Sequence, residues 1–95
     1  MMTLGILGGG QLARMLCLDA RRMGLRTVVW SGTPTAEPTE GVADLVLKRN
    51  FEDVEAHEEF CRQVDVATVE FENIPLETSR AVEQAVGLYP SAERT

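Results

Sequence analysis

The sequence is short of the residues from which metal sites and nucleophilic centres are built. Its 95 residues include one histidine, His57, and two cysteines, Cys17 and Cys61. The cysteines form no CxxC pair, and a single imidazole does not complete a zinc set. One histidine is also too little for a Ser-His-Asp or Cys-His arrangement to be argued. Both thiols read as reduced and packed, as in a cytoplasmic protein, and His57 as a residue at a core edge. Basic residues are scarce as well. Nine Lys and Arg stand against fifteen Asp and Glu, for a net charge of −6. That balance argues against nucleic acid, whose phosphates need clustered cations, and against an anionic membrane surface. No apolar run approaches the length that crosses a bilayer. Met1-Met2-Thr3 lacks the basic region that opens a secretory signal. There is no internal repeat and no low-complexity stretch. The length allows one domain, residues 1–95, which buries about 60–65% of its unfolded surface and has little room for an enclosed active site.

What is present is an alternation of two periodicities. Leu4-Gly5-Ile6-Leu7 is an apolar run that ends in Gly8-Gly9-Gly10, which predicts a buried strand entering a tight turn. Leu12, Met15, Leu16, Ala20 and Met23 recur at helical spacing and predict a first helix with that apolar face, stopped at Gly24. Arg14, Arg21 and Arg22 take its other faces as surface charges. Thr27 to Trp30 is a β-branched and aromatic second strand. Ser31 to Gly41, broken by Pro34 and Pro38, reads as a loop, longer than the usual ~4–6 residues, which points to a working loop. Asp44 to Lys48 reads as a third strand. Phe51 to Val64 reads as a helix with Val54, His57, Cys61 and Val64 on one face. Glu52, Asp53, Glu55, Glu58 and Glu59 form its solvated side. Asp65 to Phe71 is a fourth strand. A third helix opens with Pro75 as its first residue and runs to about Val86. Gly87 stops it, Leu88-Tyr89-Pro90 makes a short last strand, and Ser91 suits the cap of a further helix. The order β-α-β-loop-β-α-β-α-β predicts an α/β fold: a Rossmann-like open, mainly parallel sheet with helices on both faces.

Two segments carry candidate chemistry. Gly8 to Ala13 fits G-x-G-x-x-A. Gly8 permits a tight turn with positive φ, Gly10 admits a ligand close to the backbone, and Ala13 lets helix and strand pack closely. The N–H groups that open the helix suit a phosphate or carboxylate. A dinucleotide also needs an acidic residue about 20 positions on, at the end of the second strand. Trp30-Ser31-Gly32-Thr33 stands there instead, which speaks against NAD and FAD. The other segment is Glu70-Phe71-Glu72-Asn73-Ile74-Pro75, two acids at the carboxyl end of a central strand, where open parallel sheets bind ligands. The first strand should lie beside the fourth, bringing Gln11 near Glu70. Alternation places Glu70 and Glu72 on one side. Carboxylates there suit sugar hydroxyls or an amine. Solvent exposure past the strand, a cap on the next helix, and a metal pair lacking further ligands are the other readings.

Taken together, Gly5 to Leu16 closely resembles the opening of the 5-(carboxyamino)imidazole ribonucleotide synthases. Val42-Ala43-Asp44, Phe71-Glu72-Asn73-Ile74-Pro75 and Tyr89-Pro90-Ser91 fall where that family has similar segments, so the resemblance covers nearly the whole chain. It implies a Rossmann-like pre-ATP-grasp domain of the biotin carboxylase N-terminal type, with the ATP-grasp and C-terminal domains absent from this chain. It implies a parent ligase of purine biosynthesis that carboxylates the amine of 5-aminoimidazole ribonucleotide with ATP and bicarbonate through carboxyphosphate. Position by position, Gly10, Gln11 and Leu12 would touch the ribonucleotide, and Glu70 its sugar or amine; Glu72 matches the motif. The resemblance implies no catalytic residue, cofactor or metal ligand within the chain, since ATP and Mg²⁺ belong to the later domains. It implies a cytoplasmic, homodimeric parent and an inactive isolated fragment. Three features depart from the family pattern. Ala13 stands where Gly is common. Trp30-Ser31-Gly32 replaces an aliphatic-Asp-Pro pattern. His57 and Cys61 take positions that are often aliphatic or Ala. Other readings are the first domain of another ATP-grasp enzyme, of the glycinamide ribonucleotide transformylase type, a stand-alone NAD-sensing module, and a pure interaction domain.

Overall fold

Strands and helices alternate along the chain as β1 (Thr3–Leu7), α1 (Gln11–Arg22), β2 (Arg26–Gly32), β3 (Leu45–Asn50), α2 (Val54–Gln63), β4 (Val66–Val69), α3 (Leu76–Ala85) and β5 (Leu88–Tyr89). The computed structural model describes residues 2–35, 37–69 and 74–89. The strands form one parallel sheet in the order β3-β2-β1-β4-β5. That is the doubly wound order, with β1 at the centre. The predicted fold class and the neighbourhood of the first and fourth strands are therefore observed.

Side chains alternate along β1 and β2 and feed two cores. On one face Ile6 and Val29 pack with Ala13 and Cys17 of α1, and Leu4, Leu16, Val42, Ala43 and Val46 flank them. On the other face Leu7, Val28 and Trp30 pack with Ala56 and Phe60 of α2, Val64, Ala67 of β4 and Val82 of α3. Trp30 is fully buried at the centre of this second core. Its ring meets Phe51 edge-on at 5.2 Å and Phe60 at 5.7 Å, and its Nε1–H donates to the Arg49 carbonyl at 3.0 Å. An aromatic of this size buries about 150–250 Å², so this cluster is a main source of apolar stabilisation. It requires a bare backbone at the centre of the sheet. A Cβ at Gly5 would lie 2.5 Å from Phe60 Cζ and 2.8 Å from Val64 Cγ1.

Two aspartates finish the amino-terminal edge. Asp65, just before β4, accepts the Thr3 N–H on Oδ2 at 2.7 Å and donates its own N–H to the Thr3 carbonyl. Asp44, just before β3, accepts the Thr27 N–H at 2.8 Å and the Thr27 hydroxyl at 3.2 Å on Oδ2. Each carboxylate thus satisfies a donor at the start of the neighbouring strand.

The structure corrects several details. The inward face of α1 is Ala13, Cys17 and Ala20. Leu12, Met15 and Met23 are 41%, 58% and 69% exposed. Small residues let the helix approach the sheet closely, and the bulky ones are turned outward. Val54 is also exposed, because α2 starts only there and buries Ala56 and Phe60 instead. Asp53 is a cap rather than part of a merely solvated face: its Oδ1 accepts the Ala56 N–H at 3.0 Å, and it pairs with Arg49. Pro75 is the cap of α3 and not its first residue. Strand β2 extends to Gly32, so the loop after it begins at Thr33, and β3 starts at Leu45 and runs on to Asn50. Phe71, Pro90 and Ser91 lie outside the described residues.

Gly5→Ala is expected to lower the unfolding free energy by about 1–3 kcal/mol, the usual cost of overpacking. Urea unfolding measures it, and unchanged stability would mean that Phe60 yields freely. A second expectation concerns acid. The Ala56 N–H, and after it Arg49, hold the Asp53 carboxyl below its ordinary 3.8. A depressed pKa stabilises the fold above the unfolded value, and that contribution is lost as the pH falls through the folded one. Asp53→Ala should therefore lower the melting temperature at neutral pH, and the gap from the parent chain should close in strong acid.

Candidate functional site

The end of β1 is shaped by its glycines. Gly8 has φ 114°, a left-handed backbone that side chains rarely tolerate. Its N–H donates to the Trp30 carbonyl at 2.9 Å, which ties the turn to β2. Gly10 then caps α1 in an extended conformation. Gly10 offers the helix no side-chain cap of its own, and no acidic residue lies in the first turn. The positive end of α1 is therefore not neutralised by a carboxylate of its own first turn. Gly10 is half-buried and Gln11 and Leu12 are exposed, so these three residues form an accessible wall. Ala13 is fully buried against Ile6 and Val29, as close helix-strand packing requires.

The other half of the predicted site is set by register. Strand β1 pairs with β4 so that Leu7, before Gly8, lies opposite Val69, before Glu70. Glu70 and Glu72 themselves lie outside the described residues. The structure thus brings Gly10, Gln11 and Leu12 together and places the end of β4 beside their turn.

Sequence reasoning missed the neighbours of Gly9. A Cβ there would meet Ser31 Cβ at 3.0 Å and Glu37 Cβ at 3.1 Å. The middle glycine thus admits Ser31 from the end of β2 and the acidic Glu37 from the loop after it. Glu40 braces that loop. It accepts the Glu37 N–H at 3.0 Å and pairs with Lys48 at 3.3 Å, and these two contacts, in that order, hold its carboxyl below the usual range. The signal available in the sequence was the glycine triplet itself, since a G-x-G pattern does not need its middle residue to be glycine.

A groove of about 730 Å³ lies elsewhere, between the starts of α2 and α3, with Phe51, Glu52, Val54, His57, Leu76 and Arg80 among its walls. It does not include Gly10 to Leu12. His57 lies 6.2 Å from the Trp30 ring, and its Nε2 is 3.6 Å from Cys61 Sγ. Burial pushes the Cys61 thiol up, which keeps it protonated. Burial pushes Cys17 up as well; a bond with Thr27 opposes the shift and Asp44 adds to it. Neither thiol is set up as a nucleophile, and both are free of disulfides.

A family model, the ribonucleotide synthetase pre-ATP-grasp domain, matches residues 1–95. The chain belongs to this family. It is 42% identical over 89 residues to the bifunctional purine synthesis protein purC/E of Dictyostelium discoideum, covering 93% of this chain and 9% of that protein. It is 38% identical over 94 residues to the N5-carboxyaminoimidazole ribonucleotide synthase of Brucella melitensis, covering 95% of this chain and 25% of that enzyme. The crystal structure of N5-carboxyaminoimidazole ribonucleotide synthetase from Thermus thermophilus superimposes with a TM-score of 0.85 at 40% identity, covering 96% of this chain and 25% of that one. The chain thus spans a quarter or less of the length of these relatives.

Membership in the pre-ATP-grasp family agrees with what the end of β2 lacks. Trp30 and Ser31 are buried there, and the Ser31 hydroxyl donates inside the protein, to the Thr33 carbonyl at 3.0 Å or the Leu47 carbonyl at 3.4 Å. Strand β2 offers no carboxylate to a ribose diol at this end. Titration of the 95-residue chain with NADH, followed by nicotinamide fluorescence, is therefore expected to show no saturable binding. Tight binding would restore the dinucleotide reading.

Proposed function

We propose that this pre-ATP-grasp domain is the substrate-side wall of an ATP-dependent ligase. In the parent polypeptide the reaction is carboxylation of the amine of 5-aminoimidazole ribonucleotide, with ATP and bicarbonate, through carboxyphosphate. The observation that carries the reading is the match of the whole chain to the ribonucleotide synthetase pre-ATP-grasp family. The glycine turn supports it with an exposed helix start that suits a polar ribonucleotide and needs no adenine dinucleotide.

In this reading Gly10, Gln11 and Leu12 hold the ribonucleotide from the α1 side. Glu70 accepts hydrogen bonds from its sugar or amine, and Glu72 adds to the same edge. The positions of Leu7 and Val69 across the sheet support the pairing of these two segments. A carboxylate that accepts from the amine orients its lone pair for attack on the activated carboxyl carbon. ATP supplies the activation of bicarbonate when it is bound elsewhere in the parent. In this reading ATP and Mg²⁺ are held by an ATP-grasp domain and the domain after it, and residues 1–95 are a single domain preceding them. The parent is a cytoplasmic homodimer in this reading, and no helix of the described residues is long and apolar enough to cross a membrane.

Two measurements test the proposal. The isolated chain should hydrolyse no ATP, with or without the ribonucleotide. In the full-length polypeptide that carries this domain, Glu70→Ala should raise the KM for aminoimidazole ribonucleotide about tenfold or more, as loss of a charge-assisted hydrogen bond predicts. The KM for ATP should stay within about twofold, since Glu70 contributes nothing to that binding. A normal KM for the ribonucleotide in this variant would overturn the site assignment.

A further inference from the structure

The loop after β2 brings to the glycine turn a carboxylate that the sheet itself does not provide. Glu37 lies against Gly9: a Cβ on that glycine would stand 3.1 Å from Glu37 Cβ and 3.2 Å from its Cγ. Gly9 is buried, and Gly10, next along, is half-buried at the start of α1. The Glu37 side chain therefore starts out over the turn, beside the wall of Gly10, Gln11 and Leu12. Its backbone is clamped. The N–H donates to Glu40 Oε2 at 3.0 Å, the carbonyl accepts the Glu40 N–H at 3.0 Å, and Glu40 is tied to Lys48 of β3 at 3.3 Å. Just beyond, Thr39 is fully buried, and its carbonyl accepts the N–H groups of Val42 and Ala43. The Glu37 carboxylate, by contrast, makes no hydrogen bond or ion pair among the described residues, although the residue is half-buried. A carboxylate taken partly out of water is ordinarily paired.

We propose that Glu37 is a specificity residue, which accepts hydrogen bonds from the ribose hydroxyls of the ribonucleotide. This rests on the function proposed above. In dinucleotide-binding sheets the acid that takes a ribose diol stands at the end of the second strand. Here that place is filled by Ser31, whose hydroxyl is engaged by carbonyls inside the protein. The acid arrives from the loop instead, and the bare backbone of Gly9 makes room for it. Two oxygens of one carboxylate match two vicinal hydroxyls, and each bond is charge-assisted. A phosphate at the same point would meet a like charge, so the pyrophosphate of a dinucleotide is repelled where a glycine turn would otherwise hold it. With the diol taken by Glu37, Glu70 is left for the amine. The two acids then divide the sugar and the reacting nitrogen between them. A purely structural role is the competing account: Glu37 would offset the positive end of α1 and need no ligand.

The test sets one side chain against one pair of hydroxyls. In the full-length polypeptide that carries this domain, kcat/KM is measured for 5-aminoimidazole ribonucleotide and for its analogues lacking the 2′- or the 3′-hydroxyl. The unsubstituted polypeptide should lose about tenfold or more with each analogue, because a site built to bind a hydroxyl rejects its absence. Glu37→Ala should lower kcat/KM for the ribonucleotide by a similar factor and use the analogues within about twofold of it. A residue that only braces the loop or offsets the helix start lowers all three values together and leaves the discrimination in place. The KM for ATP should stay within about twofold. Glu70→Ala should keep the discrimination; if it abolishes it, the hydroxyls belong to Glu70 and the proposal falls. Thermal unfolding of the 95-residue chain should show Glu37→Ala melting within about 4 °C of the parent chain, as for a side chain with no bond to lose. A larger fall would make Glu37 a structural residue and overturn its role toward the ligand. Discrimination that is absent from the unsubstituted polypeptide, or that survives in Glu37→Ala, overturns the hydroxyl contact while turnover of the ribonucleotide keeps the functional reading. A polypeptide that does not carboxylate the ribonucleotide overturns the functional reading, and the contact with it.

Discussion

The missing side chain at Gly5 is the constraint on which the rest of the structure depends. Strand β1 lies at the centre of the sheet, and Phe60 occupies the space that any Cβ there would fill. With Phe60 seated on the strand, Trp30 packs against it and against Phe51, and α2 is fixed on the same face as α3. The same central strand runs directly into Gly8. The rigidity of the turn is therefore inherited from the core beneath it, and the bond from Gly8 to the Trp30 carbonyl connects the two. A ligand wall set at the end of the most buried strand needs few residues of its own to hold its shape.

That arrangement explains how a chain with almost no catalytic equipment can carry half of a site. Doubly wound sheets bind ligands where strand order reverses, at the carboxyl edge beside the first strand. Here that position brings a helix start with no carboxylate in its first turn next to the end of β4. The two free thiols are raised by burial, and His57 is engaged with Cys61 and Trp30 on the far side of the sheet. In the proposed function the domain would bind and orient the ribonucleotide, and the groups that move phosphate and carboxyl carbon would lie elsewhere in the parent polypeptide.

The fold was legible from the amino acids because hydrophobic period and glycine placement acted together. The run Leu4 to Leu7, the glycine triplet and the β-branched stretch from Thr27 each specified an element without help from distant residues. What failed was the face of α1. The helical period correctly marked an apolar helix, but it could not choose between adjacent faces. Ala13 and Cys17 contribute little to a hydrophobicity count, yet their size decides which side can approach the sheet. The capping role of Asp53 was hidden among five neighbouring acids for a similar reason, since a cap is a matter of backbone direction and not of charge. Of the candidate site, the turn was legible from its spacing. The packing on Gly9 was not, because Ser31 reaches it through the pairing of β2 with β1 and Glu37 through the path of the chain after β2.

The net charge of −6 gains a different meaning once it is distributed over the fold. Helix α1 presents Arg14, Arg21 and Arg22 against a single acid, Asp19. On the opposite face α2 and α3 present Glu55, Glu58, Glu59, Glu77 and Glu83 against Arg62 and Arg80. The sheet therefore separates a mildly basic layer from a strongly acidic one, and the average describes neither. The acidic layer sets the sign of the overall balance. Of the basic layer only Arg14 is near the glycine turn, and Glu37 approaches the same turn from the loop after β2, so both signs of charge meet there. In the proposed function a ligand at the glycine turn therefore meets the start of α1 on one side and an acid on the other, and the average charge predicts neither.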